Sequence, residues 1–335
     1  MAFSLGNQST AKDFEISQPP TDTVSCLAFS PQADLLAASS WDNQTRVYEI
    51  SSNGSSMGKA SIQHDAPPLS VCWSTDGTKV FSAGCDKTAK MFDIQSQQTQ
   101  QVAAHDAPIK SCKYIDGLSN MNNILVTASW DKTLKYWDFR SSTPVHTLQL
   151  PERAYTMDVK GALMVVGTAE RHIVIYNLNN PSTPFKTIQS PLKWQTRTIS
   201  CFIDSSGYAI GGIEGRVSIE YVEEKDQSRK FSFKCHRVDK NVFPVNEIIF
   251  HPTYGTLGTC GGDGGLRFWD KDERRSIKIL PTMQAPVTNM AFNRSAQILA
   301  YSVGYDWHKG HEHHKPGAQI FLHPVVDDDV RPKKK

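Results

Sequence analysis

The sequence predicts an all-β fold, a closed propeller ring of seven four-stranded blades, and three observations carry that expectation. Seven times an apolar run breaks at a small residue, turns on an acid and resumes as a second strand, with the acid at Asp42, Asp86, Asp131, Glu170, Glu214, Asp263 and Asp306. Successive acids stand 44, 45, 39, 44, 49 and 43 residues apart, the period that a blade of four short strands requires. Six residues after the acid an aromatic recurs, at Tyr48, Phe92, Trp137, Tyr176 and Trp269. A single sheet cannot bury both of its faces, so such units stack around an axis and close. Closure leaves rims as the working surface, which points to a binding platform.

The third repeat illustrates one blade. Its four strands are expected at Lys110 to Tyr114, Ile124 to Ala128, Thr133 to Asp138 and Val145 to Leu150, with a tight Asp131-Lys132 turn closing the central hairpin. The recurring aromatic fills the wedge between neighbouring blades. In the fifth repeat that position is Glu220, and Tyr221 is expected to compensate. His64 and His105 each open an HDAP run, and each is expected to hydrogen-bond to the turn aspartate of its own unit. The turn acids are read as scaffold: a carboxylate in a tight turn satisfies backbone N–H groups.

The seventh repeat offers only three strands, at Val287 to Phe292, Ile298 to Ser302 and Ala318 to Leu322. Its outer strand must come from elsewhere, and Lys12 to Ser17 is the natural donor, pairing the two ends and removing the open edges. The expected organisation is an N-terminal segment at 1–20 completing the last blade, the propeller at 21–325, and a basic tail at 326–335 ending in RPKKK.

Composition narrows the function classes. The balance of 36 basic and 34 acidic residues gives no global attraction for polyanions, so a polyanion must use a local patch. Seven cysteines without a C-x-x-C pair fit neither a disulfide framework nor a zinc ribbon, and a reducing compartment follows. The first residues lack an apolar leader core and no stretch is long enough to span a membrane, so a soluble cytoplasmic or nuclear protein is expected. No G-x-S-x-G, Walker loop or H-E-x-x-H stands in usable context. Neither an enzyme nor a cofactor is expected.

The strings CDKTAKMFD (85–93), SWDKTLKYWD (129–138), LQLPERAY (148–155), IEGRVSIEYV (213–222), FSFKCHR (231–237), FHPTYGTLGTCGGDG (250–264) and FWDKD (268–272) make the chain resemble a narrower group. It is similar to the messenger-RNA-export WD40 nucleoporins, which bind the GLEBS segment of a phenylalanine-glycine nucleoporin. The likeness runs in order over about residues 20 to 325. A sister family, the mitotic-checkpoint propeller that docks kinases through GLEBS-like segments, shares EGRV, FKCHR and FHP. The stretch YDWHKGHEHHKP at 305–316 sides with the export family. The resemblance implies a nuclear, pore-associated protein that shuttles to the cytoplasm. Its implied partners are a GLEBS nucleoporin and messenger or other single-stranded RNA, with checkpoint kinases or spindle proteins as the alternative set.

Two groups of residues are candidates for binding. Between Arg229 and Lys240 the run RKFSFKCHRVDK interleaves basic residues with Phe231 and Phe233, which suits an acidic peptide or single-stranded nucleic acid. It equally suits an outer strand with inward phenylalanines and solvated lysines. Arg216 follows Gly215 in the fifth turn, so its planar donor fork is placed at a loop rim. The resemblance implies that Arg216 meets glutamates of the GLEBS hairpin, and that Phe233, Trp269, Asp270 and Arg274 form a rim pocket for an apolar side chain. Lys234, His236 and Arg237 complete the expected partner surface, and Arg229, Lys230, Lys240 and Lys309 the expected RNA contacts. Histidines 308, 311, 313 and 314 sit on a Gly-bounded loop without cysteine. A solvated loop rather than a zinc site is expected there.

Overall fold

The computed structural model describes residues 12–332, apart from 52, 119 and 120. Its strands form seven four-stranded antiparallel sheets and one two-stranded ribbon. Blade 3 runs Ile109–Ile115, Ile124–Ser129, Thr133–Asp138 and His146–Gln149 from the axis outwards, within a few residues of expectation. Seven buried apolar clusters lie one at each junction of neighbouring blades, including the junction of blades 7 and 1. That arrangement is a closed ring of seven.

The wedge aromatics occupy these junctions. Tyr48, Phe92, Trp137 and Tyr176 are buried, each packed against the preceding blade. In blade 5 the expected substitute was Tyr221, and the structure corrects this. Tyr221 faces blade 6, whereas Tyr208 is paired across the sheet from Glu220 and fills the junction with blade 4. The large ring has moved to the facing strand, conserving volume while changing sequence position. Glu220 is itself buried, held by the Ser218 hydroxyl at 2.8 Å and Lys230 at 2.8 Å.

Five of the seven turn acids accept from the N–H two residues on, as an Asx turn requires: Asp42, Asp86, Asp131 and Asp263 in tight hairpins, and Asp306 from His308 at 3.3 Å. Glu214 instead reaches the N–H of Lys193 at 2.9 Å. Glu170 departs further: its side chain is 74% exposed, with His172 at 3.9 Å its one ion-pair contact among the described residues. Asp306 is no hairpin acid either. Blade 7's second hairpin opens into an insert between Gly304 and Ala318, and Asp306 turns inward, buried, accepting from Asn246 Nδ2 at 3.2 Å.

The histidine expectation extends to a third site. His64 meets Asp86 at 2.7 Å and His105 meets Asp131 at 2.8 Å. His236 repeats the arrangement with Asp263 at 2.7 Å. In blades 3 and 6 the chain continues: Trp137 and Trp269 donate to the Thr127 and Thr259 hydroxyls, which donate to the histidine Nε2. Burial pushes the His105 and His236 pKa down, favouring the neutral ring that can accept at Nε2.

The ring is closed by the N-terminal strand. Phe14–Glu15 pairs with Ala318–Pro324 through Phe14↔Leu322 and Glu15↔Phe321, and Ile16 donates to the Ile320 carbonyl at 2.8 Å. His323, buried, contacts Asp13 at 2.7 Å and Asp329 at 3.4 Å, so one imidazolium clasps both ends. The 326–335 segment is therefore not a simple basic tail. Asp327–Val330 forms a helical turn that buries Asp329 and Val330, and residues 333–335 lie outside the described residues.

Burial opposes the charge on His323, but hydrogen bonds and charge from the two aspartates outweigh it and raise its pKa to about 9. A raised histidine stabilises the fold fully below its unfolded pKa of about 6.5, and that contribution disappears as pH rises through the folded value. Denaturation midpoints are thus expected to fall between pH 7 and pH 10. His323→Gln should flatten that slope; an unchanged slope in the variant would assign the pH dependence elsewhere.

Candidate rim interface on blades 5 and 6

The outer strand of blade 5, Phe231–Lys234, alternates its side chains between two surfaces. Phe231 and Phe233 turn toward blade 6 and pack with Trp269. The Phe233 and Trp269 ring centroids are 4.8 Å apart, and those of Phe231 and Phe233 are 5.9 Å apart. Arg274, exposed, lays its guanidinium over Phe231 at 4.7 Å and donates to the Arg229 carbonyl at 3.4 Å. Arg229 in turn covers Tyr221 at 4.4 Å and pairs with Asp226 and Asp272. The result is a half-buried aromatic ledge edged by two arginines.

Lys234 faces the other way, directly across from Arg216 in the strand pairing. Gly215, at φ 59°, carries the turn that presents Arg216, and an added Cβ there would lie 2.9 Å from the His236 carbonyl and 3.2 Å from Val242. Only glycine fits under that ribbon. The ribbon, Arg237–Val238 with Asn241–Val242, is clamped to the turn by Arg237, which donates to the Glu214 and Gly215 carbonyls at 2.8 and 3.4 Å. Arg216 lies 3.9 Å from Glu214 and is 32% exposed, which leaves its fork accessible. Lys240 is exposed at the ribbon tip.

Sequence reasoning missed the apolar half of this surface. Trp194, Ile213, Val238 and Val242 are 62%, 39%, 47% and 45% exposed, and they sit around the same turn: Ile213 donates to the Gln195 carbonyl beside Trp194, and Val242 covers Gly215. An apolar residue directly before a turn acid, as at Ile213, is the signal that was available. Exposed apolar side chains grouped beside accessible cations mark an interaction surface.

Several expected contact residues are placed otherwise. His236 is buried inside blade 6's hydrogen-bond chain, and Gly261 admits its ring, since a Cβ there would approach to 2.5 Å. Asp270 is buried and caps its own turn, accepting from the N–H of Asp272 and Glu273 at 3.0 Å. Lys230 is occupied by Glu220. Lys309 is exposed on the blade 7 insert. That insert is more ordered than the solvated loop expected: Trp307 stacks on His314 at 4.6 Å and meets Trp41 at 4.6 Å, and His314 binds Asp22 at 2.7 Å. No group of three or more His, Cys, Asp or Glu able to hold a metal occurs among the described residues, and no described helix is long and apolar enough to cross a membrane.

Comparison with known proteins places this geometry. The family described as "WD domain, G-beta repeat" matches residues 14–49, 59–93, 96–138 and 227–270. The chain is 50% identical to the "Poly(A)+ RNA export protein" of Schizosaccharomyces pombe, over 97% of this chain and 94% of the relative. It is 50% identical to the "mRNA export factor GLE2" of Chaetomium thermophilum, over 96% and 92%. It is 48% identical to "Protein Rae1" of Drosophila melanogaster, over 96% and 97%. A seven-bladed WD-repeat ring with such relatives along nearly its whole length belongs to the Rae1/Gle2 family of mRNA export factors.

Proposed function

We propose that this chain is a non-catalytic adaptor in messenger-RNA export that docks at the nuclear pore by holding the GLEBS hairpin of a phenylalanine-glycine nucleoporin, and that it adds a basic surface for single-stranded RNA. The observation that carries the reading is the joint exposure of Arg216, Lys234 and Lys240 with Ile213, Val238 and Val242 around one turn. An extended acidic segment would gain from both, through carboxylate pairing with the arginine fork and burial of apolar anchors. The names of the relatives support the export role. The aromatic ledge of Phe233 and Trp269 with Arg274 fits an inserted apolar side chain or a stacked base, as arginines interleaved with rings do for single strands.

Crosslinking of single-stranded RNA to the full chain, with and without a GLEBS peptide, tests both halves. Crosslinks within 229–240 and at Arg274, reduced by the peptide, are expected. Crosslinks confined to other blades would reject the shared surface. Recovery of nucleoporins and polyadenylated RNA from extract is the expected outcome of a pull-down; recovery of checkpoint kinases without them would favour the mitotic-checkpoint role instead.

A further inference from the structure

In every blade the innermost strand pair slips register by one residue at the same place. A bulge leaves one residue out of the ladder and re-aims its side chain. The seven bulged residues form a ring around one end of the central cavity, which they all line. On three consecutive blades they are Lys110, Tyr155 and Arg197; on the others they are the uncharged Ser25, Leu69, Asn246 and Thr288.

Both cations are partly buried, and neither makes an ion pair with a carboxylate among the described residues. Lys110 has no acceptor within hydrogen-bonding distance among the described residues, and Arg197 donates only to the Asp306 carbonyl, at 3.0 Å. The acids of the cavity are occupied elsewhere. Asp158 pairs with Lys113 at 2.8 Å. Glu247 accepts from Thr198 at 3.0 Å and Asn289 at 2.8 Å. The Asp306 carboxylate is taken by Asn246 and His308. Desolvation lowers the pKa of both Lys110 and Arg197, and the Arg197 charge adds to the effect on Lys110. The Asp306 and Glu247 charges act on Arg197, and Glu247 on Lys110, without offsetting that desolvation.

A second observation points the same way. Among the described residues, the Trp130 and Trp307 indole nitrogens, the Thr23 and Thr196 hydroxyls and the Asn246 Oδ1 are buried and lack any hydrogen-bond partner; all five residues line this cavity, and all of these atoms but the Asn246 oxygen can donate. Buried donors are normally satisfied. Unsatisfied donors gathered beside unpaired cations describe the complement of an oxyanion. The cavity, about 980 Å³, is at the upper end of volumes that hold small ligands.

We infer that this end of the central cavity is a binding site for the phosphate group of a small molecule, held by Arg197 and Lys110 with Trp130 and Thr196 as neutral donors. The guanidinium supplies the planar fork and the ammonium a point charge, the usual division of labour on phosphate. The indoles of Trp41, Trp130 and Trp307 offer flat surfaces to an aromatic remainder. The site does not involve the blade 5 rim, so its failure leaves the peptide-docking proposal untouched.

Calorimetric titration of the full chain in low-salt, phosphate-free buffer, with inorganic phosphate and separately with adenosine monophosphate, tests the site. Saturable one-to-one binding of at least one of them is expected. Equal affinities identify free phosphate as the source, and tighter binding of the nucleotide identifies a nucleotide. Lys110→Met and Arg197→Gln should each weaken binding at least tenfold, while Lys59→Ala, on the outer strand of blade 1, leaves it unchanged. The bound ligand should raise the thermal midpoint of the wild type and not that of the folded double variant, which guards against a trivial loss of structure. Absence of binding by both probes, or wild-type affinity in the double variant, would overturn the assignment.

Discussion

Arg216→Glu is expected to weaken binding of a GLEBS peptide by more than tenfold, above about 1.4 kcal/mol, while the thermal midpoint stays where it was. The basis is local. Arg216 opens the third strand of blade 5 with its fork one-third exposed, Lys234 stands across from it, and the adjacent Arg237 is already committed to the turn carbonyls. Reversal removes the accessible fork and sets a second carboxylate beside Glu214, so an acidic segment meets repulsion where it met attraction. Nothing in the blade junctions rests on Arg216, so folding should survive. A calorimetric titration that returns wild-type affinity for the soluble variant would reject the assigned role.

Asp263→Ala is expected to be among the most destabilising single changes in the ring, at about 3–5 kcal/mol. Its carboxylate accepts from His236, from Arg267 at 2.7 Å and from the N–H of Gly265. Burial works against its charge, but the His236 hydrogen bond, the Arg267 charge and the Gly265 N–H outweigh it, holding its pKa below the usual carboxylate range. Truncation strands a buried imidazole and a mostly buried guanidinium, and unsettles the Thr259–Trp269 link behind them. Glu170→Ala is the matched comparison. It occupies the equivalent place in the repeat with an exposed side chain, so its cost should stay within about 0.5 kcal/mol. Urea denaturation of the two variants decides the point: similar losses would mean that the repeat position, rather than its partners, sets stability.

Those two acids also show what the sequence could and could not disclose. Spacing identifies a turn acid because period and small flanking residues are linear properties, and they located seven blades; the closing strand, expected within Lys12 to Ser17 because the seventh repeat offers only three, forms at Phe14–Glu15. Whether an acid is occupied depends on what another segment brings to it. Glu170 has no histidine of the HDAP kind and Asp263 has His236, but His236 lay inside a basic, aromatic run and read as surface. Its separation of 27 residues from Asp263, beside 22 for His64–Asp86 and 26 for His105–Asp131, was the signal that placed it in the scaffold.

The exchange of Tyr208 for the wedge position at Glu220 was opaque for a related reason. Packing conserves volume at a junction, and either of two cross-strand partners can supply it, so a motif fixed to one strand loses sight of the ring. At the rim, the basic half was legible because charge clusters are visible in one dimension. The apolar half was not, since Val238 and Val242 are brought beside Ile213 by the ribbon folding back over Gly215. The phosphate-site cations were invisible as a pair, because Lys110 and Arg197 are two blades apart and meet only around the axis.

Hydrogen-exchange footprinting of the full chain with a bound GLEBS peptide tests the central claim most directly. Protection concentrated in 213–218 and 231–243, across the blade 5 turn, its outer strand and the ribbon beyond, is the result expected. Tight binding that leaves those segments exchanging as in the free protein would contradict it.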